Sequence, residues 1–236
     1  MSLQTTLVES PTDARTEAVL SRPPEHLPRT LNSALWAFFS HPSPLILLSL
    51  LVVAVLIRST QAAVGWWDAL IPLMILAYWP LNEWLIHTQI LHVKPRRILG
   101  KKWYPLLAQK HRAHHAAPWD LPLVFIPLHV YPLTIPLLLG FWWLVTPSLA
   151  LMFTGLVTYL ILSLHYEWCH YLAHIPYCPP YPYYKQRVLE HRRHHFLNER
   201  SWWGVSTGLG DKLLGTAPAA NLAQRSNTTR TLGIHW

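Results

Sequence analysis

Charge is scarce in this sequence. Only 13% of the 236 residues are Asp, Glu, Lys or Arg, where soluble domains carry about a quarter. With 51% hydrophobic residues, disorder and a coiled coil are excluded, and a water-soluble globule is disfavoured. Cysteine is nearly missing. Cys169 and Cys178 stand apart, with no CxxC. Neither a disulfide framework nor a thiolate zinc finger can be built from them. Acidic residues are also few, 11 against 19 basic ones, for a formal charge of +8. The positions of those charges show what they are for.

Long charge-free runs are what the sequence has instead. Leu121–Tyr166 contains no Asp, Glu, Lys or Arg over 46 residues. A bilayer span needs about 20 residues, so this run predicts two spans with a turn near Gly140–Pro147. Pro44–Ile57 and Ala62–Leu81 predict two more. The expected spans are about 43–59, 63–83, 121–141 and 147–167, with a short interfacial helix over Leu31–Phe39. Trp66, Trp67, Trp79, Trp84, Trp142, Trp143 and Trp168 fall near the ends of these runs, where aromatic belts form. Of the 19 Lys and Arg, only Arg58 lies in a far-side loop. The positive-inside rule then puts both termini and both hydrophilic segments, 84–120 and 168–216, in the cytosol. The basicity is topological and attracts anionic headgroups; it is no footprint for nucleic acid. Residues 1–42 read as a polar cytosolic tail without a secretory signal, 43–216 as one membrane domain, and 217–236 as a C-terminal tail.

Histidine is the unusual abundance. Ten of the 15 fall in four motifs on the expected cytosolic side. They are His87/His92 (HxxxxH), His111/His114/His115 (HxxHH), His170/His174 (HxxxH) and His191/His194/His195 (HxxHH). Positions i, i+3 and i+4 share a helix face, so each HxxHH is expected to aim three imidazoles into one cavity. His87 and His92 sit about 140° apart on an ideal helix. The helix is therefore either distorted or ends between them. Pro176 is expected to end the last span's helix beyond His174. Ten neutral imidazoles suit transition metals, and ten ligands imply two ions. Zinc is satisfied by three or four, so two irons with positions open to dioxygen fit better. Glu167 and Glu190 are candidates for orienting neighbouring ligands. Glu83, Asp120 and Asp211 are the other acids near the motifs. His26, His41 and His235 read as solvated, His129 as part of span three, and His165 as a buried hydrogen-bonded residue.

In this order, the four motifs resemble the membrane-bound fatty acid hydroxylase/sterol desaturase superfamily, and within it most of all the fatty acid 2-hydroxylases. EWLIHTQILH at Glu83–His92, HRAHHAAPWDLPLVFIP at His111–Pro127, HRRHHF at His191–Phe196 and GVSTGLGDKLLGT at Gly204–Thr216 carry the resemblance. It implies an all-α integral membrane protein with four transmembrane helices. A cytosolic helical cap would hold a histidine-rich dimetal site with the ten motif histidines as ligands. Two Fe ions are the implied cofactor, with Zn able to replace them in a purified protein and O2 as co-substrate. The implied partners are a membrane lipid substrate and an electron donor.

About 40 residues before the first span are too few for the haem domain that many 2-hydroxylases carry. A separate cytochrome b-type or ferredoxin-like donor is therefore expected. Lys94, Arg96, Arg97, Lys101 and Lys102 are candidates for meeting the lipid head or that donor. The expected reaction is hydroxylation of a lipid acyl chain. A sterol or carotenoid desaturase or hydroxylase is the alternative within the superfamily. A non-enzymatic metal- or lipid-binding membrane protein is a more distant one. The sequence leaves open the substrate carbon, hydroxylation against desaturation, and the oligomeric state.

Overall fold

The computed structural model describes residues 23–61, 64–219 and 222–234. The expected tail up to residue 22 and His235 lie outside the described residues. Nine α-helices are described: α1 Leu31–Ser40, α2 Pro42–Ser59, α3 Trp67–Ile86, α4 Leu106–Ala116, α5 Leu121–Val124, α6 Tyr131–Val145, α7 Leu149–Ala173, α8 Pro182–Phe196 and α9 Leu209–Leu213. An antiparallel hairpin, β1 Arg96–Ile98 with β2 Lys101–Trp103, is the one sheet among the described residues.

Four segments are long and apolar enough to cross a bilayer: Pro42–Ser59, Trp67–Leu91, Leu121–Val145 and Leu149–Ala173. The chain is an integral membrane protein built on them. Their outer faces expose Val52, Leu56, Leu73, Leu137 and Leu144, a lipid-facing pattern rather than a water-facing one. The helix α7 is the hub and packs against α2, α3, α6 and α8. Its 25 residues span about 37 Å at the helical rise, more than the roughly 30 Å of hydrocarbon. It is therefore longer than a straight crossing requires. Gly155 lets α6 approach it, because a Cβ there would lie 2.6 Å from the Trp142 ring. At the end of the bundle away from the histidines, Arg58 and Asp68 pair at 2.6 Å. Thr154 donates to the same carboxylate at 2.5 Å, pinning α2, α3 and α7 together.

The third span differs from the continuous helix expected. After α5 the chain is extended over Phe125–Pro127, makes a 3-10 turn at Leu128–Val130, and only then enters α6. Proline explains the break. Pro127 has no N–H to donate and pushes Ile126 toward extended backbone. The freed Ile126 N–H donates to Glu167 at 2.9 Å. The turn between the last two spans lies at Thr146–Ser148, and Gly140 is inside α6. Span two reaches past its expected end at 83, through Ile86 and a π-helical turn over His87–Leu91. The helix expected over Leu31–Phe39 is present as α1, capped by Thr30 and Ser33.

Candidate metal centre

All ten motif histidines meet at one end of the bundle, and nine are buried. They divide into two groups of five. One group holds His87, His92, His111, His115 and His194; the other holds His114, His170, His174, His191 and His195. Within each group, one ring nitrogen per residue lies within 4.8 Å of all the others. Neither HxxHH aims all three rings at one point, as the shared helix face suggested. In each, the i and i+4 rings stay together and the middle ring crosses to the other group. The i+3 position is rotated about 300° from i and the i+4 position about 40°. That offset suffices to separate them between two adjacent centres.

The distortion at His87–His92 is resolved as a π turn, closed by the His92 N–H to the His87 carbonyl at 3.1 Å. An i→i+5 turn brings residues five apart onto one face. The two rings are 5.0 Å apart as a result.

Backbone carbonyls orient the rings. The Nδ1 atoms of His87, His115, His170 and His194 lie 2.6, 2.9, 2.8 and 2.8 Å from the carbonyl oxygens of Trp203, Thr229, Val124 and Ser201. Each such bond places the proton on Nδ1 and leaves the Nε2 lone pair facing the group. The Val124 carbonyl is available because the helix breaks after it. Carboxylates act further out than expected. Glu167 does not touch His170; it accepts from Ser43 at 2.5 Å and from the Ile126 N–H, holding the broken segment in place. Glu190 pairs with Arg187 at 2.8 Å rather than with His191. Glu83 accepts from Trp79, the Ser206 hydroxyl and the Val205, Ser206 and Thr207 N–H groups. Asp211 accepts from the Trp203 and Gly204 N–H groups at 2.9 and 2.6 Å. These two acids set the loop whose Ser201 and Trp203 carbonyls orient His194 and His87.

The donor set fits metal ions. Buried ring nitrogens of eight histidines have no hydrogen-bond partner, among them Nε2 of His92, His115, His170 and His194 and both nitrogens of His114. Buried nitrogens without partners are costly, and their concentration around two groups of five imidazoles fits a cation. Burial first, then mutual repulsion, holds His111, His114, His174, His191 and His195 well below the ordinary imidazole range, and His115 is pushed down to about 3. The rings are therefore neutral at physiological pH, as ligands must be.

The remaining histidines lie apart. His26 and His129 are exposed. His41 is not simply solvated: it caps α2 and stacks on Phe125 at 3.9 Å. His165 is half-buried beside Cys169 and Tyr183. Asp120 precedes α5 without a side-chain cap bond. Lys94, Arg96, Arg97 and Lys101 line up along and beside the hairpin.

A cavity of roughly 510 Å³ leads to the histidines. His111 of one group and His170 of the other form part of its wall, and Lys110 lies beside His111. From there it runs between apolar side chains to Leu137, Leu138 and Phe141 on α6.

Four apolar spans, ten clustered histidines and this cavity define a membrane protein with a candidate metal site at the end of an apolar cavity. The fatty acid hydroxylase family profile matches residues 72–216, and the chain belongs to that family. It is 29% identical over 150 residues to the dihydroceramide fatty acyl 2-hydroxylase FAH2 of Arabidopsis thaliana, covering 63% of this chain and 61% of that protein. It is 28% identical to the human fatty acid 2-hydroxylase over 56% of this chain and 35% of that one. The chain thus spans about a third to two thirds of the relatives' lengths. The solved structure of full-length scs7p, with only its hydroxylase domain visible, superposes with a TM-score of 0.63. It is 20% identical, over 78% of this chain and 68% of that one, and shares the fold.

Proposed function

We propose that this protein is a membrane-bound di-iron oxygenase that hydroxylates a lipid acyl chain, as its 2-hydroxylase relatives are named for doing. The observation that carries this reading is the apolar cavity ending at His111 and His170, one from each group. The ligands are His87, His92, His111, His115 and His194 for one ion and His114, His170, His174, His191 and His195 for the other. Iron held there supplies dioxygen activation and hydrogen-atom removal from an unactivated methylene. The chain's own residues supply position and dryness. Leu137, Leu138 and Phe141 receive the tail, and Val124, Ser201, Trp203 and Thr229 keep the rings aimed. Electrons come from a separate donor protein. Both termini and the metal site face the cytosol, in keeping with the single Lys or Arg, Arg58, at the opposite end.

Metal content is the test. Protein purified from iron-replete cells is compared with the His114→Ala/His194→Ala variant, alongside lipid profiling. About two irons per chain in the wild type, lost in the variant, together with 2-hydroxyacyl products, is the expected result for a two-ion site. A single zinc, or no metal despite ample iron, sinks the di-iron reading.

A further inference from the structure

The family match ends at residue 216, yet the chain beyond it returns to the histidines. Leaving α8, it pairs back on itself: the Ser226 N–H donates to the Leu197 carbonyl at 2.9 Å, and Asn198 donates to the Gln224 carbonyl at 3.0 Å. Thr228 donates to the buried Glu199 carboxylate at 2.6 Å. The segment then crosses to α4. Arg230 donates to the Ala116 carbonyl at 2.8 Å, and Arg112 donates to the carbonyls of Thr231 and Ile234 at 3.1 and 3.3 Å. Leu232 and Ile234, within the segment, are themselves buried. Midway along, the Thr229 carbonyl accepts from His115 Nδ1 at 2.9 Å.

We propose that residues 226–234 are an integral strap of the metal centre rather than a tail. The strap joins the two HxxHH helices, α4 and α8, and Thr229 is a positioning residue that fixes His115 through its backbone carbonyl. This rests on the ten histidines being metal ligands. His115 belongs to the group with His87, His92, His111 and His194. The orienting carbonyls of His87 and His194 come from the 201–203 loop, and that of His170 in the other group comes from Val124. The strap supplies an orienting carbonyl to one group alone. Its loss therefore strikes one ion before the other, an asymmetry that general loosening of the fold does not produce. Outer partners of metal-ligating imidazoles are worth roughly 10–100-fold in metal affinity.

The experiment titrates detergent-purified, metal-stripped full-length protein with ferrous iron under anaerobic conditions, and with zinc as a redox-inert probe. Beside it run a chain ending at Gln224 and the Arg112→Ala/Arg230→Ala variant. Two binding phases in the wild type, with one phase weakened roughly 10–100-fold and the other unchanged in the variants, is the expected result. Retention of both phases at wild-type affinity by the double variant overturns the strap, and so does equal weakening of both. The double variant keeps the test open if the shortened chain fails to fold. A wild-type protein that binds neither metal fails the di-iron reading itself, a separate outcome.

Discussion

The rings of His115 and His195 stack with centroids 4.1 Å apart and planes 23° apart, although each belongs to a different group of five. The two groups therefore meet through the last histidines of the two HxxHH motifs. This division predicts unequal results from variants that remove equal numbers of histidines. His111→Ala/His115→Ala takes two from one group, and His111→Ala/His114→Ala takes one from each. Iron titration should show one binding phase intact in the first variant and both weakened in the second. Identical behaviour of the two contradicts the split.

Glu83 joins span two to the 201–207 loop. Glu83→Gln keeps the shape but brings one acceptor oxygen and a donor to a site filled with donors. A buried donor left unsatisfied costs about 1–3 kcal/mol. The variant should unfold at lower temperature in detergent, and the group containing His87 should bind iron more weakly. Unchanged melting and affinity together would remove Glu83 from this role.

The metal-stripped protein should be acid-labile. Burial depresses the imidazoles, so the unfolded chain takes up protons below about 6.5 while folded His115 resists until about pH 3. The unfolded state binds more protons in that window, so stability is full above it and falls as the pH drops through it. Each such histidine contributes a slope of about 1.4 kcal/mol per pH unit. Melting temperatures from pH 7.5 down to 5 measure this. A flat profile would show that the cluster does not exclude protons.

Leu138 lines the part of the cavity formed by α6. Leu138→Trp should shorten the acyl chains accepted while leaving metal content unchanged. Product chain lengths by mass spectrometry report the shift. Loss of all chain lengths alike would mean that the tail does not run there.

Much of this architecture was legible from the sequence because it rests on composition and spacing. Charge-free runs announced the spans, and each HxxHH announced that its i and i+4 rings share a face, although its middle ring turned to the neighbouring group. What escaped depends on backbone made available elsewhere. Val124 and Thr229 contribute carbonyls, which every residue has, so no side-chain motif marks them. The proline at 127 was a visible signal for the break before α6, yet uniform apolarity on both sides concealed it. Glu167 and Glu190 looked like direct partners because they neighbour histidines in sequence. Their carboxylates instead satisfy Ser43 with the Ile126 N–H, and Arg187, respectively.

The π turn at His87–Leu91 also bears on how such a site is assembled. A π turn is an α-helical turn carrying one additional residue. Deleting one of the four residues between His87 and His92 gives HxxxH, the spacing used by His170 and His174 at the end of α7. The two histidine pairs carried by these membrane helices thus differ in spacing by a single residue, accommodated by widening one turn so that the His87 and His92 rings still meet.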